Sequence, residues 1–210
     1  HCLSSAASDV YKRQVDIGKY TDMFKDADTF KSTYGIGDTP SASDFAHFKP
    51  DTKQKLQDAV DQWCDASDSN TDKYNGVPIN FWYTSLITDM EDLFSGKGTF
   101  NDDISNWNVS KVQTMENMFR GCDLFNQPLN SWDVSSVTTM KYMFRDAVAY
   151  NQPLNLWNVS KVDNMHGMFM NATSFNQNIG RWDVSKVDNM GYMFINLSLI
   201  HISEPTRPYL

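Results

Sequence analysis

The side chains that could do chemistry in this chain are few and far apart in the sequence. His166 has no second histidine in register with it to complete a metal site, and it lacks the partners of a Ser-His-Asp arrangement. Asp102 and Asp103 could contribute to a calcium site, but calcium needs about six oxygen ligands, and a solvated acidic turn is the favoured explanation. Neither a C-x-x-C motif nor a Gly-rich phosphate-binding loop occurs. We therefore predict no catalytic residue, no metal and no cofactor.

Cysteine and asparagine modification are the remaining covalent chemistry. Cys122 takes a position that alanine holds in later copies of the repeat described below, which predicts a small buried side chain. A Cys64–Cys122 disulfide would need an oxidising compartment, and their repeat positions do not suggest proximity, so we do not expect it. Asn108, Asn158 and Asn171 begin N-x-S/T sequences. Aspartate fills the slot of the first two in other copies, so in a eukaryotic secreted protein Asn171 is the better glycan acceptor.

A 25-residue repeat positions these residues, with copies opening at Phe100, Phe125, Tyr150 and Phe175. A fixed period of this length predicts a stack of supersecondary units, because one unit cannot bury its apolar face alone. We interpret the recurring apolar columns as packed core rather than as a cofactor site. The predicted core residues are Trp82, Trp107, Trp132, Trp157, Trp182, Met115, Met140, Met165, Met190, Phe119, Phe144, Phe169 and Phe194.

Each copy changes its apolar period partway along. The segment Leu129-x-x-Trp132-x-Val134 alternates at its end, which predicts a short strand. The later spacing from Met140 to Ala147 is i, i+3, i+4, i+7, which predicts a short helical turn. Because L-x-x-W-x-V has the shape of the leucine-rich-repeat signature, we predict an α/β repeat solenoid of short parallel strands and short helical turns, with an N-terminal capping helix.

The polar residues of the predicted strands are the candidate binding face, since this is the large regular surface that such a stack offers. A second polar column, Asn101, Asn126, Asn151 and Asn176, is interpreted as a ladder that satisfies backbone groups of the turns. The strand-face residues are Asn106, Asn108, Ser110, Ser131, Asp133, Ser135, Leu156, Asn158, Ser160, Arg181, Asp183 and Ser185.

The tandem units resemble the BspA-like leucine-rich-repeat surface proteins. They read W-N-V-S-K-V-Q-T-M-E-N-M-F, W-D-V-S-S-V-T-T-M-K-Y-M-F, W-N-V-S-K-V-D-N-M-H-G-M-F and W-D-V-S-K-V-D-N-M-G-Y-M-F, and the resemblance covers about residues 48–196. It implies a surface-exposed or secreted protein used in adhesion and binding.

Along the chain, the repeat is preceded by weaker elements. Residues 15–34 resemble the second half of a unit, and we leave open whether they are the remnant of an upstream repeat or a free amphipathic helix. Residues 35–50 read as a linker that contains His47, and 51–75 as a capping helix and turn with Asp51 or Thr52 as the N-cap. The repeat region is 76–196, with units 76–99 (divergent), 100–124, 125–149, 150–174 and 175–196 (truncated).

Both ends of the chain resemble translated adapter sequence rather than native protein. Residues 1–14 contain D-V-Y-K-R-Q, and 197–210 begin with L-S-L-I-H-I, which are translations of one sequencing adapter and of its reverse complement. Without these segments the chain has 15 basic and 24 acidic residues, because 18 loses three and 26 loses two, and its net charge becomes −9. Such a surface disfavours nucleic acid and anionic membranes.

These observations favour a non-catalytic surface or secreted module for binding or adhesion that acts through the polar face. The partner would be a protein or a surface glycan, with no nucleic acid and no direct membrane insertion. Two alternatives remain open at this point. The repeats could be the targeting region of a larger enzyme whose catalytic domain lies elsewhere, or they could form a structural wall or matrix protein that self-associates.

Overall fold

The computed structural model describes residues 48–65 and 78–197. In these ranges the regular elements are one α-helix, α1 (Lys53–Cys64), and one 3-10 turn (Ile79–Phe81). The repeat units consist of successive turns stacked on one another. Single parallel bridges join neighbouring units at Asp89, Thr114, Thr139, Asn164 and Asn189. Several predicted segments lie outside the described residues. These are the adapter-derived residues 1–14 and 198–210, the 15–34 segment, most of the 35–50 linker and the turn over 66–75 that follows the capping helix.

The predicted α/β solenoid is wrong, because the described residues contain no β-strand and no α-helix within the repeat. Turns close on both sides of the expected strand. In the 100–124 unit, the Trp107 N–H donates to the Ile104 carbonyl at 3.0 Å, and the Val112 N–H donates to the Val109 carbonyl at 2.9 Å. The few residues between them still alternate, with Trp107 and Val109 buried and Asn108 exposed. The alternation therefore predicts correctly which side chains point inward, although these residues form no β-strand.

The predicted helical turn is also replaced by consecutive β-turns. The N–H groups of Met143 and Arg145 donate three residues back, to the carbonyls of Met140 and Tyr142. The N–H groups between them donate across the stack, as from Phe144 to the carbonyl of the next unit at 2.9 Å. This alternation leaves no donor for the i to i−4 bonds of an α-helix. Tyr142 has a φ of +55°, in the left-handed region that breaks a right-handed helix.

The core is a set of side-chain columns with one member from each unit. Successive Phe rings at 94, 119, 144, 169 and 194 stack with centroid distances of 5.5, 5.4, 5.6 and 6.3 Å. From Trp107 onward, each Trp indole in the column donates its N–H to a carbonyl 28 residues earlier, as from Trp132 to Ile104 and from Trp157 to Leu129. All the predicted core residues are buried except Met190 and Phe194 of the last unit, which are 39% and 46% exposed.

The helix α1 packs on the first unit and completes its hydrogen bonding. Thr52 is the N-cap, and its side chain accepts from the Lys55 N–H. Leu56, Ala59 and Val60 form its buried face. The Gln57 side-chain amide donates to the Leu93 carbonyl at 3.1 Å. In later units the carbonyl equivalent to that of Leu93 accepts a backbone N–H from the preceding unit, as the Met118 carbonyl accepts from Phe94. The Gln57 side chain thus supplies the hydrogen bond that a preceding unit supplies elsewhere in the stack.

We expect Tyr150→Phe to raise the free energy of unfolding. Tyr150 is fully buried in the Phe100, Phe125 and Phe175 column, and its hydroxyl has no partner within the described residues. An unsatisfied buried hydroxyl costs about 1–2 kcal/mol, and removing it leaves the ring stacking intact. Urea unfolding followed by Trp fluorescence measures the change. Tyr192→Phe is the control, since Tyr192 is 63% exposed and should show no gain. A destabilised Tyr150→Phe variant would refute the expectation.

Candidate interaction surface

The predicted binding residues do not lie on strands but in turns along one region of the stack. Because the units stack in register, each residue lies beside those 25 positions away. Three columns result from the set named above. The first is Asn106, Ser131, Leu156 and Arg181; the second is Asn108, Asp133, Asn158 and Asp183; and the third is Ser110, Ser135, Ser160 and Ser185.

The second column has a local structural role. Its side-chain oxygen accepts the backbone N–H two residues later in every unit, as from Ser110 to Asn108 and from Ser135 to Asp133, both at 3.1 Å. These Asx-type bonds hold the turn that follows each Trp. At Asp183, hydrogen bonds from the side chain and then the backbone of Ser185 lower the carboxyl pKa. The Asp–Asn exchange in this column therefore follows from a shared acceptor oxygen.

The first column differs in chemistry from unit to unit. Its members occupy the turn that precedes each Trp, and the residue type changes from Asn106 to Ser131, Leu156 and Arg181. Leu156 is 71% exposed, and its N–H donates to the Asn130 side chain at 2.9 Å. The backbone of the turn is thus held while the side chain extends outward. This column is the variable part of the surface.

An open depression of about 380 Å³ lies beside this column. It is lined by Pro153, Asn155, Gln177, Asn178 and Arg181. Of these residues, only Arg181 belongs to the predicted binding face. The others could have been located from a break in the repeat pattern. Asn178 stands where the two preceding units have proline, and Gly180 stands where they have asparagine.

The asparagine column of the turns forms the predicted ladder, and this prediction is confirmed. The Asn101, Asn126 and Asn151 side-chain oxygens each accept the N–H of the asparagine 25 residues later, at 2.9–3.0 Å. The neighbouring glutamines reinforce the ladder, with Gln152 donating to the Asn126 side chain at 3.1 Å. These side chains hold adjacent units together and are therefore engaged in structure.

Asn126→Ala should lower the free energy of unfolding by about 1–3 kcal/mol, because the Asn151 N–H and the Gln152 amide both lose their acceptor. Chemical denaturation measures the change. Asn126→Asp keeps an acceptor oxygen at the same place and is the matched control, for which a clearly smaller loss is expected. Equal losses in the two variants would show that the ladder bonds do not account for the effect.

The titratable candidates take part in packing contacts. The His166 ring lies edge-to-face between Tyr142 and Tyr192, with centroid distances of 5.1 and 5.4 Å, and is half-buried. Asp102 accepts from the Trp63 indole at 2.7 Å, and Asp103 accepts from Ser105. Among the described residues, no group of three or more His, Cys, Asp or Glu side chains is placed to hold a metal ion.

Both cysteines within the described residues are free thiols. Cys122 is buried and donates to the Phe94 carbonyl, and burial followed by the nearby Cys64 raises its pKa. Burial also raises the pKa of Cys64 to about 11. Burial thus holds both thiols in the protonated, less reactive form.

The asparagine favoured for glycosylation is engaged in the stack. The Asn171 amide donates to Asp146, and its oxygen accepts from Asn196 at 2.7 Å. Its backbone φ is +61°. Asn108 and Asn158 are exposed instead, so the structure favours these two positions as the more accessible sequons.

These features define a tandem-repeat protein, in which 25-residue turn units stack through single bridges and columns of identical side chains. The chain belongs to the family described as "Mycoplasma protein of unknown function, DUF285". The family model matches residues 62–171 and, about one unit further along, 88–203, which together cover about two thirds of the chain. No curated protein and no solved structure is significantly similar to it.

In residues 48–65 and 78–197, no helix combines the length and apolar character needed to cross a bilayer.

Proposed function

We propose that this chain is a non-catalytic binding or adhesion module of a BspA-like surface or secreted protein. It acts through the exposed turn columns that precede and follow each Trp. The partner is a protein or a surface glycan. The chain's formal charge of −8 argues against nucleic acid and anionic lipid as partners, because both attract basic surfaces.

The observation that carries this proposal is the contrast between the inside and the outside of the stack. Buried columns keep one residue type from unit to unit, as Trp107, Trp132 and Trp157 do. The exposed column beside them contains an amide, a hydroxyl, an aliphatic and a guanidinium group in turn. A constant core that carries a varied surface is typical of repeat proteins that bind through an extended face.

The side chains that could act in catalysis are used in contacts within the stack, which supports a role without catalysis. His166, Asp102 and Cys122 each contact a neighbouring unit or α1 through a hydrogen bond or ring contact. A nucleophile needs an activating base within hydrogen-bond reach, and the contacts of these groups serve packing instead. A sensitive test is turnover against ester, phosphate and glycoside substrates. Activity abolished by His166→Ala would refute this part of the proposal.

Binding is tested by measuring adhesion of the purified protein to arrays of extracellular proteins and glycans. A double variant, Leu156→Ser with Arg181→Ser, makes the exposed column uniformly polar and should abolish binding. Leu124→Ser is the matched control, since Leu124 is 55% exposed and lies in the turn over 123–124. Full binding by the double variant would exclude the column, and binding of neither wild type nor variant would refute the function.

A further inference from the structure

The depression beside Arg181 exists because a side-chain ladder stops there. In the preceding gap between units, the Asn130 amide donates to the Asn155 oxygen at 3.2 Å and fills the space. The next position in this column is Gly180, which has no side chain to continue the ladder. The gap between the 150–174 and 175–196 units is therefore left open.

Polar groups that face this space are left without partners. The side chains of Asn155, Asn178 and Arg181 are exposed to solvent, and the two amide nitrogens and the guanidinium make no hydrogen bond or ion pair to any described residue. The oxygens of the two asparagines are occupied, since Asn155 accepts from Asn130 and Asn178 accepts from Gly180. Gln177 donates to Asn151, so its amide oxygen remains as an acceptor. The lining is thus rich in donors, and none of its five residues is acidic.

This donor set determines the ligand chemistry. A guanidinium pairs bidentately with a carboxylate, and amide groups pair with hydroxyls. The volume of about 380 Å³ falls in the range for small-ligand sites. The negative net charge of the chain opposes an anion only weakly, because salt screens the charges that lie more than about 8 Å away.

We propose that this depression is a binding site for a sugar that carries a carboxylate, with Arg181 on the carboxylate and the three amide side chains on the hydroxyls. The proposal rests on the binding function proposed above and names its ligand class and its location. The site forms at one gap of the stack because Gly180 and Asn178 depart from the repeat pattern there.

Titration with glucuronate, followed by the backbone amide shifts of ¹⁵N-labelled protein, tests the proposal. Saturable shifts should concentrate at residues 153–155 and 177–181. Glucose lacks the carboxylate and acetate lacks the hydroxyls, so each should bind at least about tenfold more weakly. Arg181→Gln should weaken glucuronate binding by a similar factor.

Two further variants separate this site from a general effect of charge. Gly180→Asn should remove binding, because it restores the asparagine found at this position in the two preceding units. The added Cβ would lie 3.3 Å from the Asn178 side-chain oxygen, so that exposed side chain has to shift by a few tenths of an ångström. Leu156→Arg places a guanidinium beside the preceding gap between units. The Asn130 and Asn155 side chains fill that gap, so this variant should create no second site. Unchanged binding in Gly180→Asn, equal binding of glucose, or no saturable shift would overturn the proposal. Adhesion that persists in the array assay would then leave the broader function standing.

Discussion

Trp132→Ala is expected to lower the free energy of unfolding by about 3–5 kcal/mol, a large share of the roughly 5–15 kcal/mol that stabilises a domain. The Trp132 ring is 3% exposed and lies within the core of the stack. Its indole N–H also donates to the Ile104 carbonyl of the preceding unit. The substitution leaves a large cavity and removes one of the two hydrogen bonds to the Ile104 carbonyl, which keeps its bond from the Trp107 N–H. Equilibrium denaturation monitored by circular dichroism measures the loss.

Two variants locate the source of this effect. Trp132→Phe keeps an aromatic ring in the column but loses the indole donor, so it should cost clearly less than the alanine variant. Trp182→Ala removes the same side chain in the last unit, where it is 9% exposed and has one flanking unit among the described residues. Its cost should also be smaller. A Trp182→Ala loss as large as that of Trp132→Ala would contradict nearest-neighbour stabilisation of the stack.

Hydrogen exchange should differ sharply between equivalent amides of the interior and last units. The N–H groups of Tyr142 and Phe144 donate to the next unit, at 2.9 Å each. Tyr192 and Phe194 hold the same two positions with the same residue types, and their N–H groups have no acceptor within the described residues. An amide bonded in a core opens only with cooperative unfolding, so the interior pair should exchange about a thousandfold more slowly.

This comparison is controlled by residue type, since Tyr is compared with Tyr and Phe with Phe. Insertion of a copy of residues 172–196 after Asn196 would supply carbonyls opposite the last unit. The N–H groups of Tyr192 and Phe194 should then become protected. Exchange at equal rates in the four amides of the original chain, or no gain after the insertion, would refute the account of how units are joined.

Much of the packing can be predicted from the sequence because it follows from a strict period. A column of identical residues 25 positions apart can be buried only if the units stack in register, so Trp107, Trp132 and Trp157 had to share an environment. The asparagine ladder follows in the same way, since a side chain in register can satisfy its neighbour's backbone. The helix over 53–64 is also foreseeable, because its apolar stripe and its Thr52 cap are local signals.

The candidate site was only partly predictable. Arg181 stands out as a charged residue in an otherwise uncharged column, and its place in the repeat predicts that it lies on the polar face. Whether space exists beside it depends on how Asn155 and Asn178 are oriented and on the missing side chain of Gly180. These are relations between two units. The depression therefore needs the tertiary structure to be seen.

The sequence by itself determined which side chains point inward, how the units repeat and that they stack. The tertiary structure decided the backbone that carries them. Spacings that suit a strand or a helix also suit consecutive turns when alternate N–H groups bond to the next unit, as at Phe119 and Phe144. Side-chain periodicity reports direction, whereas the choice between local and inter-unit hydrogen bonds depends on the carbonyls that a neighbouring unit brings within reach.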